Sequence, residues 1–366
     1  MAYGTVNADL MTTSDGVSSS GLYGFKNRII NGAMMVSQRN GTSTVATPTD
    51  GQYVLDRFAT FTNGGGVYSV GQSSTAPAGF TNSMLCTVTT IDSSIAATDY
   101  YLLTQSIEGY NVADLGFGTA NAQTVTISFW VRSSVTGTFG FGLRQGSGTR
   151  SYVATYTINS ANTWEQKSIT IAGDTSGTWA TDNTAGMIAT WDLGSGSNRN
   201  GTANTWNAGN YWRTSSCVNW IANSGATFYI TGVQLEKGST ATSFDYRPYG
   251  TELQLCQRYY AKTFNQSVAP ASNAGQGGAF LVPAPANTSA DRGYLVTYRF
   301  PVSMRAAPTV TTFNPSAAGS GWFASSGASV AASTANAGTE AVMITHSDPA
   351  VANQNAVIHA TASAEL

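Results

Sequence analysis

The chain has 366 residues, 42% of them hydrophobic and 10% charged. That length and apolar share suffice for two or three domains with real cores and exclude a wholly disordered chain. A formal net charge of −2 provides no basic field for nucleic acid, and no apolar run approaches the roughly 18 residues of a membrane span.

Residues 1–24 are polar and rich in Ser and Gly, which predicts an extended N-terminal arm, either loose or docked on another protein. Met1 to Asp15 lack the basic and apolar regions of a signal peptide. Residues 25–249 are predicted to form a β domain. Its clearest strand covers 124–134, where Val125, Ile127, Phe129 and Val131 alternate with Thr124, Thr126, Ser128, Trp130 and Arg132. Similar alternation marks 150–158 and 166–172, and 227–235 is apolar on both faces, as in a central strand. Glycines such as Gly137, Gly146, Gly148 and Gly173 separate these runs, so an antiparallel sandwich or jelly roll is expected.

Residues 175–220 hold Trp179, Trp191, Trp206, Trp212 and Trp220 among Gly, Asn and Thr. They read as a long structured loop region whose rings either pin the loops to the core or meet a ligand. Residues 251–262 predict a short helix capped by Thr251, within a connector at 250–265. A second β domain over 266–366 follows, with strands at 294–302, 341–346 and 356–362.

Catalytic inventory is thin. His346 and His359 each fall on a predicted strand; they form either a metal or proton-relay pair, if the strands are neighbours, or ordinary half-exposed strand positions. Phosphate loops, dinucleotide fingerprints, nucleophile elbows and zinc motifs are absent from the sequence. Cys86, Cys217 and Cys256 are scattered and odd in number, which argues against a disulfide framework and a zinc site and for small buried apolar groups. Asp174, Asp182 and Asp192 are candidates for a glycosidase carboxylate pair, but acidic turn residues explain them as well. No catalytic residue, cofactor or metal ligand is therefore nominated, and no enzyme activity is expected. Sugar binding suits the composition better, because a pyranose stacks an apolar face on Trp or Tyr while its hydroxyls meet Asn, Asp and Gln. Trp179, Trp191, Trp206 and Trp212 are the expected glycan contacts.

Two segments carry a resemblance. FKNRIINGAMMVSQRN at 25–40, followed by Tyr53, Asp56, Arg57 and Phe58, resembles the opening of a class of phage tail-fibre and virion structural proteins. ITGVQLEKGSTATSFDYRPYGTELQLCQRYY at 230–260 resembles the closing segment of the same module, and MRAAPTVT at 304–311 with the ending TASAEL resembles the distal domains of such proteins. The class is similar to carbohydrate-binding-module jelly rolls. The resemblance implies an all-β chain: an antiparallel jelly-roll β-sandwich followed by a second, smaller β-sandwich domain, with an extended N-terminal arm. It further implies a subunit of the virion, assembled in the bacterial host cytoplasm, docked on tail or capsid proteins through the arm, homotrimeric, and contributing to host attachment through a cell-surface glycan. Neither nucleic acid nor membrane insertion is expected. A head fibre or capsid decoration is the alternative, and a polysaccharide-degrading tailspike a third. Within the matching segments, Asn27, Arg28 and Asn31 are placed to bond the closing segment, and Asp245 to pair with Arg247.

Overall fold

The computed structural model describes residues 26–283, 295–327, 329–345 and 354–366; the expected arm at 1–24 and His346 lie outside them. The first twelve strands are β1 (Gln52–Leu55), β2 (Phe58–Asn63), β3 (Val67–Ser73), β4 (Ser83–Thr90), β5 (Tyr100–Glu108), β6 (Val125–Ser133), β7 (Gly137–Gln145), β8 (Arg150–Ile158), β9 (Glu165–Ile171), β10 (Ala185–Ser195), β11 (Thr205–Ala208) and β12 (Thr227–Lys237). They form two antiparallel sheets, one of seven strands in the order β1-β2-β5-β10-β7-β8-β11 and one of five in the order β3-β4-β12-β6-β9. Seven of the eleven successive strand pairs cross from one sheet to the other, as in a jelly roll, while β1/β2, β3/β4, β7/β8 and β10/β11 each stay within one sheet. Period-two alternation builds the core between them. Val125, Ile127, Phe129 and Val131 of β6 face Met187, Ala189, Trp191 and Leu193 of β10, all fully buried. Each large side chain so placed contributes about 1.5–3 kcal/mol.

The expected loop region at 175–220 is partly a strand. β10 lies between β5 and β7 in the middle of the larger sheet. Its glycines, Gly186 and Gly194, conceal the alternation, although a Cβ on Gly186 would lie 2.8 Å from the Gly109 backbone. That close approach requires a residue without a side chain.

The smaller sandwich follows one helix, α1 (Tyr249–Gln257), and comprises β13 (Tyr260–Lys262), β14 (Phe280–Val282), β15 (Leu295–Arg299), β16 (Thr309–Phe313), β17 (Trp322–Ala324), β18 (Ser329–Val330), β19 (Ser333–Ala335), β20 (Ala341–Thr345) and β21 (Ala356–Ser363). β21 pairs with β13, β14, β16 and β17, while β15, β20 and β19 form a separate sheet. Trp322, Ile358 and Ala360 of the first sheet pack with Tyr298, Val342 and Ile344 of the second. The helix is shorter than expected and starts earlier: Pro248 stands at its N-cap and Thr251 lies inside it. Residues 260–262 leave the helix because pairing with β21 satisfies their backbone groups, which a two-turn helix end cannot. The strand expected over 294–302 ends at Arg299, before Pro301, which has no N–H to offer a ladder.

The two ends of the larger sandwich join in one buried seam. Asn27 Nδ2 donates to Val233 O (3.1 Å), and Asn27 Oδ1 accepts from the Leu235 amide (3.1 Å). The Arg28 amide donates to Leu235 O at 2.9 Å. Arg247 donates to the Asn27 and Ile29 carbonyls and pairs with Asp245 at 3.5 Å. Asn31, at φ 60°, donates to Val36 O and Asp56 O and accepts from the Val36 amide. The Gln38 amide and Nε2 both donate to the Asp56 carboxylate. The segments that carry the resemblance are therefore the two sides of this closure.

Candidate functional site

The expected glycan contacts are mostly inside the protein. Trp191 is 0% exposed, its ring centroid 5.3 Å from Phe141, 5.7 Å from Phe129 and 6.4 Å from Phe58. Trp212, 2% exposed, lies over Gly140 and Gly142 on the outer side of the larger sheet and donates from Nε1 to Ser195 Oγ at 3.0 Å. Trp179 is buried against Phe117 and Trp206 and donates to Ser176 O. The expectation is corrected for these three: Trp191 points from β10 into the core between the sheets, while Trp179 and Trp212 fill space that loops rich in Gly, Asn and Thr have few side chains of their own to fill. Trp206 on β11 is half-buried, with Nε1 donating to Ala172 O at 2.8 Å.

A group of rings that reach the surface together lies on the outer face of the five-stranded sheet. Trp130 and Arg132 occupy the outward phase of β6, opposite Thr231 and Tyr229 of β12. Trp164, just before β9, meets Tyr229 edge-on at 6.0 Å, and the Arg132 guanidinium stands 5.0 Å from the Tyr229 ring centre. At the other end Phe80 contacts Phe244 (5.0 Å) and Tyr246 (5.5 Å), the last 59% exposed. Gly232 joins the two halves. It sits at φ 61° in the irregular part of β12, and a Cβ there would lie 2.7 Å from Phe80 and 3.0 Å from Trp130. A side chain at 232 would push the rings apart, so glycine keeps Phe80, Trp130 and Tyr229 in one stripe. Gln166 and Ser168 of β9 lie exposed beside it, Gln166 directly opposite Trp130.

Electrostatics pin one edge of the stripe. Burial works against the Glu165 carboxylate, but Lys167 Nζ (2.6 Å), the Ser160 and Asn159 amides and Asn159 Nδ2 all donate to it. They hold its pKa at about 2, below the ordinary 4.5. With the folded value depressed, its stabilisation is complete above about pH 4.5 and is lost as pH falls towards 2. Glu165→Gln is expected to flatten the acid limb of stability in that window, read from thermal unfolding midpoints between pH 2 and 7.

Of the carboxylates weighed for catalysis, Asp174 pairs with Arg150, Asp182 accepts from Thr184, and buried Asp192 accepts from Ser195 and lies 3.5 Å from Arg213. His359 is fully buried rather than half-exposed. It stacks on Phe264 at 3.8 Å and bonds Thr263 Oγ1 and Gly275 O, and burial lowers its pKa. Cys86, Cys217 and Cys256 are buried and free. Among the described residues no three His, Cys, Asp or Glu side chains gather at metal-binding range.

No family model and no curated protein matches the chain. Solved structures similar to it include the enzymatically active domain of tailspike protein 4 of bacteriophage CBA120, at 12% identity and a TM-score of 0.32. That match covers 58% of this chain and 21% of the tailspike chain. A family 11 carbohydrate-binding module from Clostridium thermocellum matches at 11% identity over 55% of this chain and 99% of the module, TM-score 0.28. A xylan-binding domain from Paenibacillus barcinonensis matches at 11% identity over 56% of this chain and 99% of the domain, TM-score 0.25. The jelly-roll architecture stated above rests on this chain's own strand order.

Proposed function

We propose that the chain is a bacteriophage fibre or appendage subunit that helps attach the particle to host surface glycans, with the stripe of Trp164, Tyr229, Trp130, Phe80 and Tyr246 as its sugar-stacking surface. The observation that carries the reading is the stripe itself: half-exposed rings on the outer face of a sheet, beside amide and hydroxyl groups. Ring faces take the C–H side of a pyranose, and Gln166, Ser168 and Arg132 offer hydrogen bonds to its hydroxyls. Such a surface binds one sugar weakly, and several copies on one particle multiply it. A homotrimer docked through residues 1–24 on other virion proteins is part of the same reading, and so is the absence of catalysis. The phage assignment is supported by the resemblance of the two seam segments.

Affinity electrophoresis through gels containing host polysaccharides tests the glycan half. Trp130→Ala is expected to weaken retardation about tenfold, roughly 1.4 kcal/mol, with an unchanged melting temperature. Retardation that survives both Trp130→Ala and Trp164→Ala sinks the assignment to this stripe.

A further inference from the structure

The opposite face of the sandwich carries a different chemistry. Arg144, on the outward phase of β7, is 8% exposed, yet among the described residues its guanidinium donates only to neutral oxygens, Thr190 Oγ1 at 2.9 Å and Asn210 Oδ1 at 2.7 Å. Arg199 converges on the same place: its guanidinium lies 4.8 Å from the Trp212 ring centre and 5.3 Å from that of Tyr100, while that of Arg144 lies 5.1 Å from Trp212. The Nε of Arg199 is buried and has no hydrogen-bond acceptor among the described residues. Neither arginine belongs to any ion pair among the described residues. Of two carboxylates on this side of the sheet, Asp192 is engaged by Arg213 and Ser195, while Asp50 accepts from the Thr62 amide and from the Tyr100 hydroxyl and forms no ion pair with either arginine.

Two guanidiniums gathered on one indole without a counter-charge are unfavourable in a partly dry setting. Burial first, and then Arg199, pull the pKa of Arg144 down to about 10. Elsewhere in the chain buried arginines have carboxylates: Arg57 has Glu365 and Arg213 has Asp192. Arg144 has no such partner among the described residues.

We infer that Arg144 and Arg199, with Asn210 beside them, form a second binding site, one for the carboxylate of an acidic sugar. A guanidinium fork matches the two oxygens of a carboxylate, and a buried fork beside a half-buried one discriminates charge far better than an aromatic stripe does. A long polyanion such as nucleic acid is disfavoured, because the net charge of −2 supplies no extended positive field. The sugar half of this inference rests on the glycan reading above; the anion half does not.

The test is calorimetric titration of the full chain with oligogalacturonate, a neutral oligosaccharide, sodium sulfate and single-stranded DNA. Oligogalacturonate is expected to bind, to weaken at least tenfold in Arg199→Gln, to weaken with added salt, and to be indifferent to Trp130→Ala. Arg144→Gln, with its melting temperature as a control for folding, is expected to weaken it at least as much. No binding of oligogalacturonate, or equal binding by Arg199→Gln, overturns the inference. Sulfate binding without oligogalacturonate binding overturns the sugar and leaves an anion site, and tighter binding of DNA also overturns the sugar. Neutral glycan binding lost in Trp130→Ala, with no acidic binding at all, overturns this site while the attachment reading stands.

Discussion

Asn31→Ala is expected to lower the unfolding free energy by about 4 kcal/mol. The side chain makes three buried hydrogen bonds, to the Val36 amide, Val36 O and Asp56 O; alanine leaves the Val36 amide and Asp56 O dry and unpaired, and Val36 O with only the long bond from the Asp56 amide at 3.4 Å. A net loss of about 1 kcal/mol per bond is the lower end for groups so stranded. Alanine at φ 60° adds about 1 kcal/mol of steric cost. Because domains are stable by about 5–15 kcal/mol, the substitution removes a large part of the margin. Asn31→Gly keeps the backbone conformation and separates the two contributions; it is expected to cost about 1 kcal/mol less. Urea unfolding of the three proteins measures this, and a loss below about 1 kcal/mol for Asn31→Ala would show that the seam does not depend on Asn31.

Glu365→Ala is expected to cost about 3–5 kcal/mol, although residue 365 lies just past the last strand of the other sandwich. Arg57 is 1% exposed and donates to Glu365 and to Ser106 O, with its guanidinium 3.5 Å from the Tyr259 ring centre. Arg39 also pairs with Glu365, at 3.0 Å. Removing the carboxylate leaves Arg57 as a buried charge with no counter-charge, the costly half of any buried pair. Replacing both partners, Arg57→Met with Glu365→Leu, is expected to recover most of the loss, since Arg39 is more open and keeps its contacts with Tyr53 and Tyr260. A double-mutant cycle by denaturant unfolding reads the coupling directly. Near-additive costs would assign the effect to packing rather than charge.

Much of the fold is legible in period two. The strands β6, β8, β9, β12, β20 and β21 stand in the sequence as alternating or doubly apolar runs, because one or both faces of each are buried. β10 is not legible because glycines are needed where Gly109 and Ile221 press on it, and glycine carries no hydrophobic signal. The site is legible only by its residue types. A cluster of tryptophans does not say which rings are inside; that depends on loops folding back over Gly140 and Gly142. The better signal lay in the clearest strand itself, where Trp130 and Arg132 take the polar phase of β6. A ring in the outward phase of a strand reaches the surface where no loop folds back over it, as at Trp130. The arginine pair is not legible at all, because Arg144 and Arg199 are brought together only by β7 and the turn after β10.

The seam and the Arg57–Glu365 pair also set an order of events at the ribosome. Arg57 waits 308 residues for its counter-charge, and Arg28 waits more than two hundred for the strand it pairs with. Contacts so distant are slow to close, because the intervening chain must be gathered first. A nascent chain that has emerged only through β11 therefore carries open sheet edges and an uncompensated cation, and depends on chaperones or on speed until its last hundred residues arrive.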